Sequence, residues 1–240
     1  ITYCQWKNYT ILHFFYDNVN KYPDDIAFIG IDGNEYTFRQ FETQANKICI
    51  YFESLGFKAG DCVALLMESR PEYILIWYAL GKIRIVTSFI NISTRGDQLN
   101  HCINKSKCKA IIFSKELENA LKDIILPNLP LFSFDGVSSL TNSINIQAVI
   151  SNIDSINIVP RARINDVICH VFTSGTTGLP KPVPVKHSKV FHFAYPALMI
   201  NICKKDRIYV FMPIYHVNSG LVIVSAAFLY GCTLVIRKKF

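Results

Sequence analysis

The residues best equipped for chemistry stand in one ten-residue run, Phe172-Thr173-Ser174-Gly175-Thr176-Thr177-Gly178-Leu179-Pro180-Lys181. Four hydroxyls and two glycines precede a lysine there. Glycines let backbone N–H groups approach an anion closely, and the hydroxyls add donors at phosphate distance. Lys181 supplies a compact positive charge for terminal phosphate oxygens. A phosphate-binding loop is the expectation. It is not a Walker loop, which needs a GxxxxGK run followed by Ser or Thr. Pro180 and Pro182 flank the lysine, so no helix starts at that point. A ligand-free Ser/Thr/Gly turn would explain the composition of the run but not its length and order.

Apolar residues 167–172 predict a strand leading into the loop. Upstream, helical and strand-like patterns alternate. Residues 26–31 and 35–38 flank Asp32-Gly33-Asn34, a hairpin signal. Phe38, Phe41, Ala45, Ile48 and Phe52 recur at steps of three and four, which predicts a helix with Thr37 as N-cap and Gly56 as stop. A strand over 62–67 follows, then a buried helix opened by Ser69 and Pro71 and running to about Gly81. A strand near 83–90, a helix from about Arg95 to Ser106 and a strand over 110–113 continue the order. Such alternation argues an α/β fold, mostly parallel sheets flanked by helices. Residues 127–160, rich in Asn, Ser and Pro, are expected to form an irregular connection.

The chain has 240 residues, of which 50% are hydrophobic and 18% charged, so it is neither disordered nor a fibre. Its net charge of +7 is uneven. Residues 1–155 hold 14 basic and 16 acidic side chains, a balance of −2; residues 156–240 hold 11 basic against Asp166 and Asp206, a balance of +9. The second part is expected to meet something anionic: phosphates, nucleic acid or a lipid headgroup. Its aromatics lie inside apolar runs rather than among lysines and arginines, which argues against nucleic acid.

Eight cysteines include no CxxC pair and no accompanying His cluster, so neither a zinc site nor a disulfide framework is expected. They read as small apolar core residues in a reducing compartment. No formally charged residue lies between Arg207 and Arg237. That length would span a bilayer, but Pro213, His216, Asn218 and Gly220 interrupt it. A strand (208–212), a loop, a helix (221–230) and a strand (233–236) fit better. Sequons at Asn8, Asn91 and Asn104 are read as silent. The chain begins at Ile1 without a signal-peptide pattern and ends at Phe240, and is taken as a fragment.

The ten-residue loop resembles the AMP-binding signature of the adenylate-forming enzymes. Pro213-Ile214-Tyr215-His216 resembles that superfamily's next motif. The ending Gly231-Cys232-Thr233-Leu234-Val235-Ile236-Arg237-Lys238-Lys239-Phe240 is similar to one branch, the long-chain fatty acid transport proteins or very-long-chain acyl-CoA synthetases. Lys21-Tyr22-Pro23-Asp24, Tyr36-Thr37-Phe38-Arg39-Gln40 and Gly60-Asp61 fit the same branch.

The resemblance implies that residues 1–240 form the N-terminal portion of the large adenylate-forming domain, its C-terminal part missing. It implies a fatty acyl-CoA ligase using ATP, Mg²⁺ carried on the ATP phosphates, and coenzyme A. Thr173, Ser174, Thr176 and Thr177 would bind phosphates, Gly175 and Gly178 would permit close approach, and Lys181 would contact the outer phosphates. Tyr215 and His216 would face the acyl substrate, His216 near its carboxylate. A long-chain or very-long-chain fatty acid is the implied substrate. The parent protein would be membrane-associated, with its catalytic domain facing the cytosol at the endoplasmic reticulum or plasma membrane. The alternatives are a membrane fatty acid transporter or binding protein without ligation, and a ligase for a different carboxylate.

Four positions depart from the family pattern. Arg84 stands where relatives typically carry glycine, in the predicted strand over 83–90, and an arginine in a sheet interior is costly. Asn91-Ile92-Ser93 replaces Asn-x-Asn, Pro182-Val183-Pro184 replaces a small-residue run, and Asn218-Ser219-Gly220 shifts the glycine after His216.

Overall fold

The computed structural model describes residues 7–122, 124, 129–173, 178–194 and 199–237. Two sheets carry the fold. One has four strands and the other seven.

Helix α1 (Ile11–Lys21) leads into the hairpin β1 (Ile26–Ile29) and β2 (Glu35–Thr37), turned by Gly33 at φ 74°. Thr37 caps α2 (Phe38–Ser54): its hydroxyl accepts from Gln40 N–H, while the Gln40 side chain accepts from Thr37 N–H. That reciprocal pair satisfies two amide donors that a helix start otherwise leaves orphaned. Gly56 follows at φ 84°.

Strand β3 (Cys62–Leu66) then enters the larger sheet. Helix α3 (Pro71–Lys82) is apolar almost all round and has only one of its twelve residues, Glu72, outside the buried set. A helix of that kind needs protein on every side. Phe228 packs on it, its ring 5.9 Å from Trp77 and 5.7 Å from Tyr78. Strand β4 (Val86–Phe89), helix α4 (Gly96–Lys105) and strand β5 (Cys108–Ser114) complete the alternation.

Strand β3 shows how one sheet serves two cores. Val63 and Leu65 face the larger core with α1, α2 and α3; Cys62, Ala64 and Leu66 face a second core with Leu99, Cys102 and Ile103 of α4. The period-two alternation of a strand produces this division. Helices therefore cover both faces, as the alternating sequence pattern required.

Within 127–160, expected to be irregular, the structure places β6 (Leu131–Phe134), β7 (Ser143–Asn145) and α6 (Ile146–Ser151). Both strands extend the parallel sheet. Leu131, Phe132 and Phe134 are buried, which outweighs the polar composition around them. A short α5 (Asn119–Lys122) precedes them.

Strand β8 (Val167–Thr173) pairs in parallel with β4 and antiparallel with β9 (Lys181–Lys186). Pro182 and Pro184 sit in β9, the edge strand of its sheet, where proline is tolerated. Helix α7 (His187–Ala194) follows, then β10 (Arg207–Val210), a π-helix (Val217–Ile223), α8 (Val224–Tyr230) and β11 (Thr233–Ile236). Strand β11 inserts between β10 and β1, parallel to both. Among the described residues no helix is long and apolar enough to cross a membrane.

Arg84 corrects its expected place in a strand. It lies in the turn between α3 and β4, at φ 67°, with its guanidinium on Asp166 at 2.8 and 3.1 Å. A left-handed backbone position explains a preference for glycine there, and the ion pair accounts for the charge.

Candidate functional site

The predicted phosphate loop joins β8 to β9. Its central residues Ser174, Gly175, Thr176 and Thr177 lie outside the described residues. The flanks are described. Thr173, the last residue of β8, is the register partner of Lys181, the first of β9. The loop is thus the tip of an antiparallel hairpin at the carboxyl end of β8, and Thr173, Gly178 and Lys181 are exposed. Among the described residues, a β-carbon on Gly178 would meet no atom within 4 Å. Among the described residues no carboxylate pairs with Lys181 at salt-bridge distance. Two other basic residues of the second part are matched: Arg161 with Glu53, and Lys204 with Asp25.

The second motif is held by the chain around it. Ile214 is fully buried and its N–H donates to Ser69 Oγ at 3.0 Å. Ser69 therefore works outside the role expected of it: the N-cap of α3 is Arg70, and the Ser69 hydroxyl anchors the segment before His216. His216 N–H donates to Pro213 C=O at 3.0 Å, and His216 C=O accepts from Gly220 N–H at 2.8 Å. His216 is the N-cap of the π-helix, so the helix starts at the motif itself. Single π-helical turns are rare and concentrate at functional sites. The His216 ring is exposed and rests on Tyr215, centroids 4.5 Å apart. Burial pushes the Tyr215 phenol above its usual range.

The two motifs meet at one cavity of about 240 Å³. Phe172 and Pro180 line it from the hairpin, Tyr215 and His216 from the second motif, and Thr94 and Gln98 from the turn into α4. Asn91, Ser93 and Cys102 complete it. It sits at the carboxyl ends of β4 and β8, where open α/β sheets bind ligands. Thr173 and Lys181 adjoin its wall without lining it. Sequence reasoning had marked Asn91 and Ser93 only as departures, and had not placed Gln98 or Cys102 in a site. Their step of four along α4 puts both on one helix face, which is the signal available for them. Among the described residues no three His, Cys, Asp or Glu side chains converge as a metal site.

An AMP-binding enzyme family model matches residues 15–240. The chain is 30% identical over 246 residues to long-chain fatty acid transport protein 1 of Bos taurus, covering 98% of this chain and 38% of that protein. Long-chain fatty acid transport protein 2 of Rattus norvegicus is also 30% identical, over 244 residues, again with 38% of its length covered. The chain thus spans well under half the length of these relatives. Its fold matches an anthranilate CoA ligase solved with anthranoyl-AMP (TM-score 0.87, 19% identity, 97% of this chain and 45% of that one). It also matches a fatty acyl CoA synthetase of Mycobacterium tuberculosis (TM-score 0.81, 21% identity, 96% and 45%). The chain belongs to the AMP-binding enzyme family.

Proposed function

We propose that residues 1–240 supply the phosphate loop and the carboxylate side of the active site of an ATP-dependent long-chain or very-long-chain fatty acyl-CoA ligase. The observation that carries this is the pairing of Thr173 with Lys181 at the tip of a hairpin whose neighbours Phe172 and Pro180 share a cavity with Tyr215 and His216. The similarity to long-chain fatty acid transport proteins supports the acyl substrate and a coupling of ligation to fatty acid uptake. It also supports a parent protein working at a membrane surface, its catalytic domain toward the cytosol.

The reaction brings together two anions. The fatty carboxylate attacks the α-phosphate of ATP and pyrophosphate leaves; the coenzyme A thiol then displaces AMP to give the thioester. Mg²⁺ accompanies ATP as part of that substrate. The protein must offset the repulsion between carboxylate and phosphate with fixed donors and charge. Thr173, Ser174, Thr176 and Thr177 donate to the phosphates, Gly175 and Gly178 leave room for them, and Lys181 faces the outer oxygens. His216, at the cavity edge, holds the carboxylate side, and Tyr215, on whose ring the imidazole rests, lines the acyl side with it. Positioning the two reactants in line is worth roughly 7–11 kcal/mol of barrier.

The test is ATP–pyrophosphate exchange driven by a long-chain fatty acid, in the full-length protein that carries this chain. Lys181→Ala is expected to lower the exchange rate about 10²- to 10³-fold. Because Lys181 is exposed, the melting temperature should not move. Undiminished exchange would remove Lys181 from the phosphate site.

A further inference from the structure

At the opposite, amino-terminal ends of β3, β4 and β5 lies a second cavity, of about 520 Å³, that the ligase chemistry does not use. Cys62 forms part of its wall and His170 another. Cys62 and Cys108 are the first residues of adjacent parallel strands and are register partners. Their sulfurs stand 3.6 Å apart, and Cys62 Sγ lies 3.7 Å from His170 Nδ1. The register slips by one immediately afterwards, where Val63 pairs with Ala110. The extra residue, Lys109, turns outward to Asp61 at 2.6 Å.

From this juxtaposition we propose that Cys62 and Cys108 are a modification site, forming a reversible intrachain disulfide when a small hydroperoxide enters the cavity. The backbone already suits the bond. Neighbouring strands run about 4.8 Å apart, inside the roughly 4.4–6.8 Å between α-carbons that a disulfide tolerates. Only side-chain rotation is needed to bring the sulfurs from 3.6 Å to bonding distance.

The chemistry divides between the three side chains. Hydrogen bonding to the Cys108 thiol and burial hold the Cys62 thiol protonated, well above its ordinary range. Reaction therefore depends on a base at the sulfur. Burial lowers the His170 pKa, so its imidazole is neutral near pH 7 but a weak base, which takes the thiol proton only as the sulfur attacks. Cys62 passes its proton to His170 as its sulfur attacks the hydroxyl oxygen of the hydroperoxide. The O–O bond breaks, the other oxygen leaves as an alcohol (as water when the oxidant is hydrogen peroxide) with the proton that His170 returns, and Cys62 becomes a sulfenic acid. Cys108 Sγ then attacks the Cys62 sulfur; the S–O bond breaks and the hydroxyl leaves as water with the Cys108 proton. Two thiols lose two electrons in all, and the hydroperoxide gains them. Arg84 and Lys109 at the rim are paired with Asp166 and Asp61, and Lys107 stands beside them.

Hydrogen peroxide on the full-length protein, followed by thiol alkylation, proteolysis and mass spectrometry, tests the proposal. A linked pair of peptides carrying Cys62 and Cys108, lost on adding dithiothreitol, is the expected result. Recovery of both cysteines alkylated while other cysteines are oxidised would overturn it, as would linkage of Cys62 to Cys102. In a Cys108→Ala variant with near-native melting, Cys62 should stop at the sulfenic acid and be captured by dimedone. No dimedone adduct there would equally overturn the order of steps. His170→Gln should slow disulfide formation at least about tenfold. An unchanged rate would remove His170 from the reaction.

Discussion

The α-carbon of Gly220 stands against the carbonyl of Ile214, so that a β-carbon would sit 2.1 Å from the Ile214 oxygen. No real side chain tolerates that distance to a backbone atom. Gly220 N–H also donates to His216 C=O, so the glycine closes the first turn of the π-helix over the motif. The close approach explains why the glycine after His216 belongs at position 220 in this chain.

Gly220→Ala should therefore displace the 213–216 segment rather than merely fill space. The expected cost is about 1–3 kcal/mol in chemical denaturation, as for overpacking elsewhere. Fatty-acid-dependent adenylation should fall with it, because His216 moves. Gly178→Ala is the control, since its β-carbon meets open space and stability should hold. Equal stability of the two variants would contradict the contact.

Arg84 offers a two-way comparison. Its left-handed φ of 67° costs about 1 kcal/mol for any residue with a β-carbon, while its ion pair with Asp166 is partly exposed and worth at most about 1 kcal/mol. Arg84→Gly should be nearly neutral, exchanging one for the other. Arg84→Ala keeps the strain and loses the pair, and should be about 1 kcal/mol less stable than Arg84→Gly in urea unfolding. An alanine variant as stable as the glycine variant would show that the backbone relaxes.

Much of this was legible beforehand because local rules and burial agree. The Thr37 cap, the Gly33 turn and the α2 stripe follow from spacing alone. The parallel sheet follows from alternation. Residues 131–134 escaped because a four-residue strand among polar neighbours has no period to detect; only the partner strand β5 makes it a strand. Ser69 escaped for a related reason. Its position before a helix advertised a cap, whereas its partner lies 145 residues away. The hydroxyl-rich loop drew attention by its composition, but the cavity beside it is assembled from three distant segments.

His187 predicts a pH dependence of stability. It is almost wholly buried, its Nδ1 has no hydrogen-bond partner among the described residues, and burial depresses its pKa from 6.5 to about 3. Asp166 opposes that shift and His13 adds to it. Below pH 6.5 the unfolded chain binds a proton that the folded chain refuses, so stability falls as pH drops from 6.5 toward 3. The slope from this group approaches about 1.4 kcal/mol per pH unit in the middle of that window. His187→Gln should flatten the curve of urea midpoint against pH. Parallel curves for the two proteins would assign the acid sensitivity elsewhere.

Ser69 ties the fold to the chemistry, and its removal separates two roles. Ser69→Ala leaves the buried Ile214 N–H without an acceptor, which costs about 1–3 kcal/mol. If the hydroxyl only stabilises, the melting temperature falls and turnover at permissive temperature does not. Its place argues for more: Ile214 is two residues before His216, and the segment's other short-range hydrogen bonds are internal to it. Freed from Ser69, the segment can shift His216 relative to the hairpin while leaving Lys181 where it is. The kcat for adenylation should then fall about tenfold with the KM for ATP unchanged, since a 1 Å misplacement alone is enough to cost that much. Ser69→Thr, which keeps the acceptor, should restore most of the kcat. Loss of stability with kcat intact, or a rise in the KM for ATP instead, would leave Ser69 a structural residue and His216 positioned by Gly220 alone.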